Sequence, residues 1–418
     1  MSRIFILSLI ILTVDFYVFQ AVKLACRNIS FARYIYYAYW GFTLFSIIII
    51  LASVVYDWHL WPKGFRTYSF ALIFIVTFSK LFVVVFLLAD DIIRVFRWLW
   101  LKGVNAFADK QAEDVSGSGH QVIERYDFLV KAGILIGSVP FLTMIWGMIN
   151  GAYDYRVRKI KLTSNKIPKS FDGFRIVQIS DIHSGSFIDT KHLKNAVSII
   201  NEQQADVVLF TGDLVNNKHE ETLPHIETLK AIRAKHGIFS TLGNHDYGDY
   251  VDWDSAEEKK QNLHSLIEIQ RSLGWDILLD EHRIIEREGH HIVLIGIQNW
   301  SAHLRFPKYG SMERATRDMN YGTFNILMSH DPSHWRAEVL EKYQKVDIML
   351  AGHTHGFQFG VEIPWLKWSP VQYIYKEWAG LYREGNRYLY VNRGLGFLGY
   401  PGRVGILPEI TVIDLHSD

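Results

Sequence analysis

Four stretches of this chain are apolar enough and long enough to cross a bilayer, and they limit where the rest can fold: residues 4–22, 35–56, 70–89 and 128–150. A helical crossing needs about 20 consecutive apolar residues. Arg3 followed by an apolar run has the look of a secretory leader, but no small-x-small cleavage site follows it and three further spans do. Tyr and Trp gather at the span ends (Tyr34, Tyr36, Tyr37, Tyr39 and Trp40; Tyr56, Trp58 and Trp61; Trp98 and Trp100). Amphipathic rings settle at headgroup level in that way. A transmembrane unit over residues 1–155 is therefore expected, with a second domain over 156–418.

Asp15 and Lys80 fall inside the spans. Charges at that depth are costly, and a structural pair between the first and third spans is preferred over a lipid-headgroup contact or an ion path. Pro140 should kink the fourth span. The run IIRVFRWLWL at 92–101 suits a helix lying at the interface, and SGSGH at 116–120 reads as a flexible loop. Cys26 is the single cysteine, so no internal disulfide can form.

From about Tyr155 the composition becomes that of a soluble α/β protein. With 44 basic against 43 acidic residues, the chain is no polyanion binder, and no nucleic-acid partner is expected. Helical spacing marks 192–203, a segment around Leu229 and Ile232, 256–273 and 333–340. Strand-like runs alternate with them, as in a parallel or mixed sheet covered by helices.

Five short polar segments punctuate this half: Asp181-Ile-His183, Gly212-Asp213, Gly243-Asn244-His245-Asp246, Ser329-His330 and Gly352-His353-Thr-His355. Each follows an apolar run (RIVQIS, DVVLF, GIFSTL, FNILM, DIMLA), so each sets oxygen or nitrogen donors where a strand ends. Open α/β sheets place ligand sites at such carboxyl ends. One Asp or His there is commonly a turn-former or a satisfied core group. Five in succession are hard to explain by structural need. Carboxylate, imidazole and one amide, with no thiolate, suit Mn²⁺, Fe²⁺ or Zn²⁺. Two such ions about 3.5–4 Å apart can clamp an in-line displacement at phosphorus. Seven protein ligands serve two ions if one carboxylate bridges, and Asp213, alone on its loop, is the natural bridge. Gly212, Gly243 and Gly352 are each expected to let the chain leave its strand at an angle other residues resist. His219, His225, His236, His264, His282, His290, His291 and His334 lack the strand-end setting and read as surface or turn residues.

The order Asp-x-His, Gly-Asp, Gly-Asn-His-Asp, His, Gly-His-x-His resembles the calcineurin-like metallophosphoesterases over roughly residues 170–415. The resemblance implies a four-layer α/β/β/α sandwich with the metals at one edge, here preceded by a bundle of four transmembrane helices. It implies that Asp181, His183 and His355 hold the first metal, that Asn244, His330 and His353 hold the second, and that Asp213 bridges. His245 would protonate the leaving oxygen, and Asp246 would orient or charge that imidazole. The two divalent ions would be Mn²⁺ first, with Fe or Zn as substitutes.

The tail carries a second pattern, AGLYREGNRYLYVNRGLG…PGR…PEI. It resembles the subgroup of these enzymes found in bacterial membranes, which includes membrane-associated phosphodiesterases and UDP-diacylglucosamine pyrophosphohydrolases. Arg393 and Arg403 are the cations nearest this pattern. Either could take a phosphate oxygen, and either could equally serve a structural carboxylate. The crowded aromatics Trp365, Trp368, Tyr373, Tyr375 and Trp378 are either a packed loop or a surface for membrane or an apolar ligand.

The sequence thus describes a multi-pass protein of a bacterial inner membrane. Basic residues divide evenly between the two sides of its spans, and the cluster Arg156, Arg158, Lys159 and Lys161 after the last span favours a cytoplasmic catalytic domain. Its expected chemistry is hydrolysis of a phosphodiester or pyrophosphate, lipid-linked or membrane-associated, by attack of a metal-bridging hydroxide. Membrane lipids are its expected surroundings. A tethered phosphodiesterase of soluble substrates, a non-catalytic sensor or scaffold with a metal site, and a small transporter are the competing readings.

Overall fold

The computed structural model describes residues 2–56, 58–107 and 119–418. The chain divides into two compact units, the first ending at Ile145 and the second running from Trp146 to Asp418.

The first unit is helical: α1 (Ser2–Ala25), α2 (Ala32–Val55), α3 (Lys63–Phe107) and α4 (Gly119–Ile149). All four are long and apolar enough to cross a membrane, and the protein is multi-pass. Large apolar side chains such as Phe5, Phe16, Val55 and Leu135 face outward, as the surface of a helix in lipid should. Inside, Lys80 of α3 meets Asp15 of α1 at 2.7 Å. Thr43 of α2 donates to the same carboxylate, and the Tyr39 hydroxyl donates to the Asp15 carbonyl at 2.8 Å. The two intramembrane charges therefore form the structural pair expected of them. Residues 92–101 are not a separate interfacial helix. They continue α3, a single helix of 45 residues and about 68 Å at 1.5 Å per residue. Pro140 lies within α4, which runs on to Ile149. Of the expected loop at 116–120, residues 116–118 lie outside the described residues, and the last two open α4.

The second unit runs β1 (Arg156–Ser164), β2 (Phe174–Ile179), α5 (Lys191–Glu202), β3 (Val207–Phe210), α6 (Ile226–Leu229), β4 (Ile238–Ser240), α7 (Ala256–Ser272), β5 (Trp275–Ile277), β6 (Glu281–Arg287), β7 (His290–Gly296), α8 (Met312–Ala315), β8 (Asn325–Met328), α9 (Leu340–Lys342), β9 (Ile348–Ala351), β10 (Val361–Ile363), β11 (Leu366–Trp368), β12 (Gly380–Glu384), β13 (Arg387–Val391) and β14 (Glu409–Ser417). Two six-stranded sheets result, ordered β1-β14-β2-β3-β4-β5 and β12-β13-β9-β8-β7-β6. Strands β2, β3 and β4 are mutually parallel, and so are β7, β8 and β9.

Apolar faces explain the layering. Ile176 and Leu209 of the first sheet meet Leu294, Ile326 and Leu350 of the second in one buried cluster. On the outer face of the first sheet, Leu193, Val197 and Ile200 of α5 and Leu266 of α7 join Val177 and Val208. Trp335, Val339, Met312 and Ala315 cover the outer face of the second sheet. The result is the four-layer α/β/β/α sandwich. Two helices differ from their sequence pattern. The segment around Leu229 closes after four residues, short of Ile232. Residues 335–339 form a π-helical turn ahead of α9.

Candidate metal centre

The five polar segments leave β2, β3, β4, β8 and β9, three from one sheet and two from the other. Parallel pairing continues into the loops and holds them together. Asp181 N donates to Gly212 O at 2.9 Å, His183 N to Asp213 O at 3.1 Å and Gly352 N to His330 O at 2.9 Å. Gln178 joins the sheets behind them, its amide donating to Thr211 Oγ1 at 3.2 Å and to Ala351 O at 2.9 Å.

The loops turn on the polar residues themselves. Asp181, His183, Asp213, His353 and His355 all adopt left-handed backbone, with φ of 51°, 47°, 61°, 70° and 49°. Each such residue costs about 1–3 kcal/mol, and strain of this kind concentrates at functional sites. Of the three motif glycines only Gly212 takes a positive φ, 97°. Gly243 and Gly352 serve by their lack of a Cβ, which would collide with the Asp213 and Asp181 carboxylates respectively. This corrects the expectation that all three glycines turn the chain.

Two groups of donors result. In one, ligand atoms of Asp181, His183 and His355 lie within 4.8 Å of one another; in the other, those of Asp213, His330 and His353 do. His183 Nε2 is 3.0 Å from His355 Nε2, which is 3.2 Å from Asp181 Oδ1. His353 Nδ1 is 2.7 Å from Asn244 Oδ1 and 3.3 Å from His330 Nε2. Asp213 faces both groups with one oxygen, Oδ2, at 3.6 Å from His183 Nε2 and 3.2 Å from His330 Nε2. Its other oxygen accepts from His245 N at 2.8 Å.

Partners behind these groups fix which atoms point inward. His330 Nδ1 lies 2.7 Å from the Thr211 carbonyl, which can only accept, so Nδ1 carries the hydrogen. In the neutral ring Nε2 is then a lone pair facing two oxygen lone pairs, Asp213 Oδ2 and Asn244 Oδ1, at 3.2 Å each. Either a proton on Nε2 or a cation between them makes that arrangement favourable. Asn244 donates its amide to Tyr250 at 2.8 Å, which leaves Oδ1 facing inward. The Tyr375 hydroxyl donates to Asp331 at 3.2 Å and sits 2.8 Å from His353 Nε2, so Nε2 is the donor and Nδ1 is bare. Such outer partners set ligand tautomers in metal sites. The residues present therefore fit two divalent ions.

Electrostatics agree. Burial alone would push the His330 ring down, but the Asp213 carboxylate outweighs it and holds the ring up to about 10. Burial would raise the Asp213 and Asp181 carboxyls, yet the surrounding imidazoles keep both below the usual range. Burial lowers His353 to about 4, and His183 falls as well. Two ionised carboxylates beside the bare His183 and His353 rings form a ready-made cation site, in which a metal ion would take the place of the proton that Asp213 holds on His330.

His245 lies at the rim. Its Nδ1 is 2.7 Å from the Asn216 carbonyl, which directs Nε2 away from that anchor, and its ring lies 5.0 Å from His183 and 4.5 Å from Tyr250. Asp246 does not orient this ring, contrary to the expectation from sequence. Its carboxylate accepts backbone N–H bonds from Asp213 (2.9 Å), Leu214 (2.8 Å), Val215 (3.3 Å) and Gly243 (2.9 Å). It clamps two ligand loops together, and the orienting group for His245 is a main-chain carbonyl.

Of the two readings left open for the arginines, Arg393 takes the structural one. Arg393 is buried and ion-paired with Glu409 and, at 2.6 Å, with Glu362. Arg403 is fully buried, donating to the carbonyls of Gly394 and Gly396 and standing 3.3 Å from His355 Nδ1. Arg393 is thereby committed to structural carboxylates, whereas Arg403 leaves Nη1 without a hydrogen-bond partner among the described residues. The tail pattern buttresses a ligand loop, with Leu395 N donating to Ser180 O at 2.9 Å and Gly396 N to Asp181 O at 2.8 Å. The aromatic crowd divides. Tyr375 and Trp378 are buried, whereas Trp365 and Tyr373 are exposed. His225 and His334, read as surface or turn residues, are buried.

Sequence reasoning missed Tyr250, Asp331 and Asn216 and gave Tyr375 no role at the site. Asp331 follows His330 directly and Tyr250 lies four residues beyond Asp246, so closeness to the motifs was the available signal.

Comparison with known proteins agrees with this geometry. A family model described as "Calcineurin-like phosphoesterase" matches residues 174–357. A second, "Probable Calcineurin-like phosphoesterase, transmembrane domain", matches residues 1–152. The uncharacterized metallophosphoesterase YkuE of Bacillus subtilis is 31% identical over 264 residues, covering 61% of this chain and 84% of that one. A transmembrane protein with metallophosphoesterase domain from Danio rerio is 30% identical over 282 residues, 65% of this chain. The match spans only 60% of that relative's length. The UDP-2,3-diacylglucosamine pyrophosphatase LpxG of Chlamydia trachomatis is 28% identical over 310 residues, 62% of this chain and 89% of that one.

Proposed function

The chain belongs to the calcineurin-like metallophosphoesterases, and from that premise we propose that it is a membrane-anchored hydrolase of a phosphodiester or pyrophosphate whose substrate is lipid-linked or membrane-associated. The observation that carries the reading is Asp213 Oδ2, shared between His183 Nε2 at 3.6 Å and His330 Nε2 at 3.2 Å.

In this reading Asp181, His183 and His355 would hold one ion and Asn244, His330 and His353 the other, with Asp213 available to both groups. Bound divalent ions supply Lewis acidity and acidify a shared water. The chain's own residues do the rest. Asp181 is fixed by the His353 N–H, 3.0 and 3.1 Å from its two oxygens, so the donors are set before substrate arrives. Such preorganisation avoids rearrangement during the reaction. His245, its Nδ1–H anchored on the Asn216 carbonyl, presents Nε2 to the rim and in its imidazolium form would give the Nε2 proton to the leaving oxygen, returning to the neutral ring. Manganese is the first ion to test, because the donors are imidazole, carboxylate and amide without thiolate.

The lipid-linked substrate is supported by the membrane unit, which tethers the hydrolase to the bilayer, and by the activity for which the chlamydial relative is named. A cytoplasmic catalytic domain at a bacterial inner membrane is supported by Lys159 and Lys161 after the last span. Arg156 and Arg158 count for less, being ion-paired with Asp154 and Glu362.

The test is hydrolysis by the detergent-purified full chain, with and without Mn²⁺, of an aryl phosphodiester, phospholipids and UDP-diacylglucosamine, with Asp213→Asn as control. Mn²⁺-dependent turnover lost in Asp213→Asn is expected, with preference for a lipid substrate. Turnover of soluble diesters alone would reduce the spans to a tether. Bound metal without any turnover would leave a sensor.

A further inference from the structure

The family ligands leave open what grips the phosphoryl group. Arg393 is committed to buried carboxylates, Arg403 is fully buried, and Arg336 is paired with Glu377 at 2.5 Å and Glu384 at 2.7 Å. A different guanidinium stands at the mouth. Phe306 packs edge-on against His353, ring centroids 4.7 Å apart, which pins its loop beside the second donor group. Arg305 lies over that ring, its guanidinium carbon 5.6 Å from the centroid. The side chain is exposed, and no carboxylate pairs with it among the described residues. Its charge acts on the hydroxyls of both Tyr250 and Tyr375. Those phenols touch Asn244 and His353, so the Arg305 charge lies within electrostatic reach of the second group. The Tyr250 hydroxyl accepts from Asn244 and keeps its own hydrogen to donate.

We propose that Arg305 is the substrate-orienting residue, its fork taking the non-bridging oxygens of the phosphoryl group presented to the two donor groups, with the Tyr250 hydroxyl as a second donor. The proposal rests on the phosphoesterase reading above. A planar guanidinium suits this task because two parallel N–H groups match two phosphate oxygens. Mounting on Phe306 couples the fork to His353 mechanically, so grip and metal set stay in register. The phosphoryl oxyanion could also belong to a lipid headgroup beside the site, and the experiment separates the two.

The full chain, Mn²⁺-loaded in detergent, is compared with Arg305→Ala and Arg305→Lys. Inorganic phosphate binding is read by calorimetry, metal content by elemental analysis, and KM and kcat with an aryl phosphodiester and with a phospholipid. Arg305→Ala is expected to weaken phosphate binding and raise KM by about tenfold or more, the loss of one charge-assisted contact. Metal content should not change, and Arg305→Lys should recover part of the loss. Unchanged phosphate affinity overturns the proposal. So does a defect confined to phospholipid substrates, which would place Arg305 on a headgroup. Should the wild-type chain hydrolyse nothing yet bind phosphate through Arg305, the hydrolase reading fails and Arg305 stands as an oxyanion-binding group alone.

Discussion

His183 Nε2 and His355 Nε2 stand 3.0 Å apart, both rings buried, with Asp181 Oδ1 3.2 Å from the second. Two imidazole lone pairs at that distance repel unless a proton or a metal lies between them. His183 also leaves its Nδ1 without a hydrogen-bond partner among the described residues. The fold therefore keeps a donor set that is poorly satisfied without its ions. Binding that favours the native state stabilises it by mass action, by about 2.7 kcal/mol at a free-ion concentration a hundred times Kd. Chelation should lower the unfolding temperature of the second unit, and Mn²⁺ should restore it. Asp213→Asn should blunt the Mn²⁺-induced rise. Thermal scans with and without chelator check this, and an equal Mn²⁺ effect in the variant would count against Asp213 as a shared ligand.

Asp246 and His245 are neighbours with opposite duties. Removing the Asp246 carboxylate strands the N–H groups of Gly243, Asp213 and Leu214, all buried. Each unsatisfied group costs about 1–3 kcal/mol. Asp246→Ala should therefore destabilise the unit by several kilocalories per mole and shed metal. His245→Ala should lower turnover while keeping metal and stability. Denaturation and elemental analysis of the two variants decide it. Asp246→Ala with normal metal content and only slowed turnover would return that residue to a direct partnership with His245.

How far the sequence reached is clearest at particular residues. Each apolar run ending in Asp, His or Asn names its own ligand, because strand and donor are contiguous and the sheet places the strand's end. Partners brought in from elsewhere are silent. Nothing near Arg393 in the chain announces Glu362, 31 positions back, and Asp246 reaches backbone atoms 31 to 33 residues away. Left-handed φ at His353 or Asp181 leaves no compositional mark. The run 92–101 was open to misreading for another reason: an interfacial helix and the continuation of a long span share the same Trp, Arg and Leu. In the membrane unit the pairing of Asp15 with Lys80 was legible because each is costly in lipid alone.

Gly352 separates a steric role from a conformational one. Its φ is not in the left-handed region, yet a Cβ there would collide with Ser180 Oγ and with Asp181 Oδ2. Gly352→Ala should push the Asp181 carboxylate off its group. The expected outcome is weaker binding of the first ion, with the second largely kept. Mn²⁺ titration showing half the wild-type stoichiometry would agree. Unaltered binding of both ions would mean that the β9 loop yields more easily than its pairing to His330 suggests.

Tyr375 tests whether the tautomer of His353 is set from outside. Its hydroxyl sits between Asp331 Oδ2 at 3.2 Å and His353 Nε2 at 2.8 Å. The carboxylate must accept, so the hydroxyl's hydrogen goes to Asp331 and its lone pair takes the His353 N–H. Burial, reinforced by Asp331, holds the phenol well above its ordinary range, so this order persists across the accessible pH. Tyr375→Phe keeps the ring that packs on His353 and His303 but frees Nε2. Either nitrogen of His353 can then carry the hydrogen, and the inward-facing Nδ1 is no longer reliably bare. Loss of such an outer partner typically costs about 10–100-fold in metal affinity. The second ion should weaken by about that factor, while the first, held by groups Tyr375 does not touch, should be nearly unaffected. Competition titrations with a chromogenic chelator would resolve the two steps. Equal weakening of both ions would show that Tyr375 supports the whole loop rather than one imidazole.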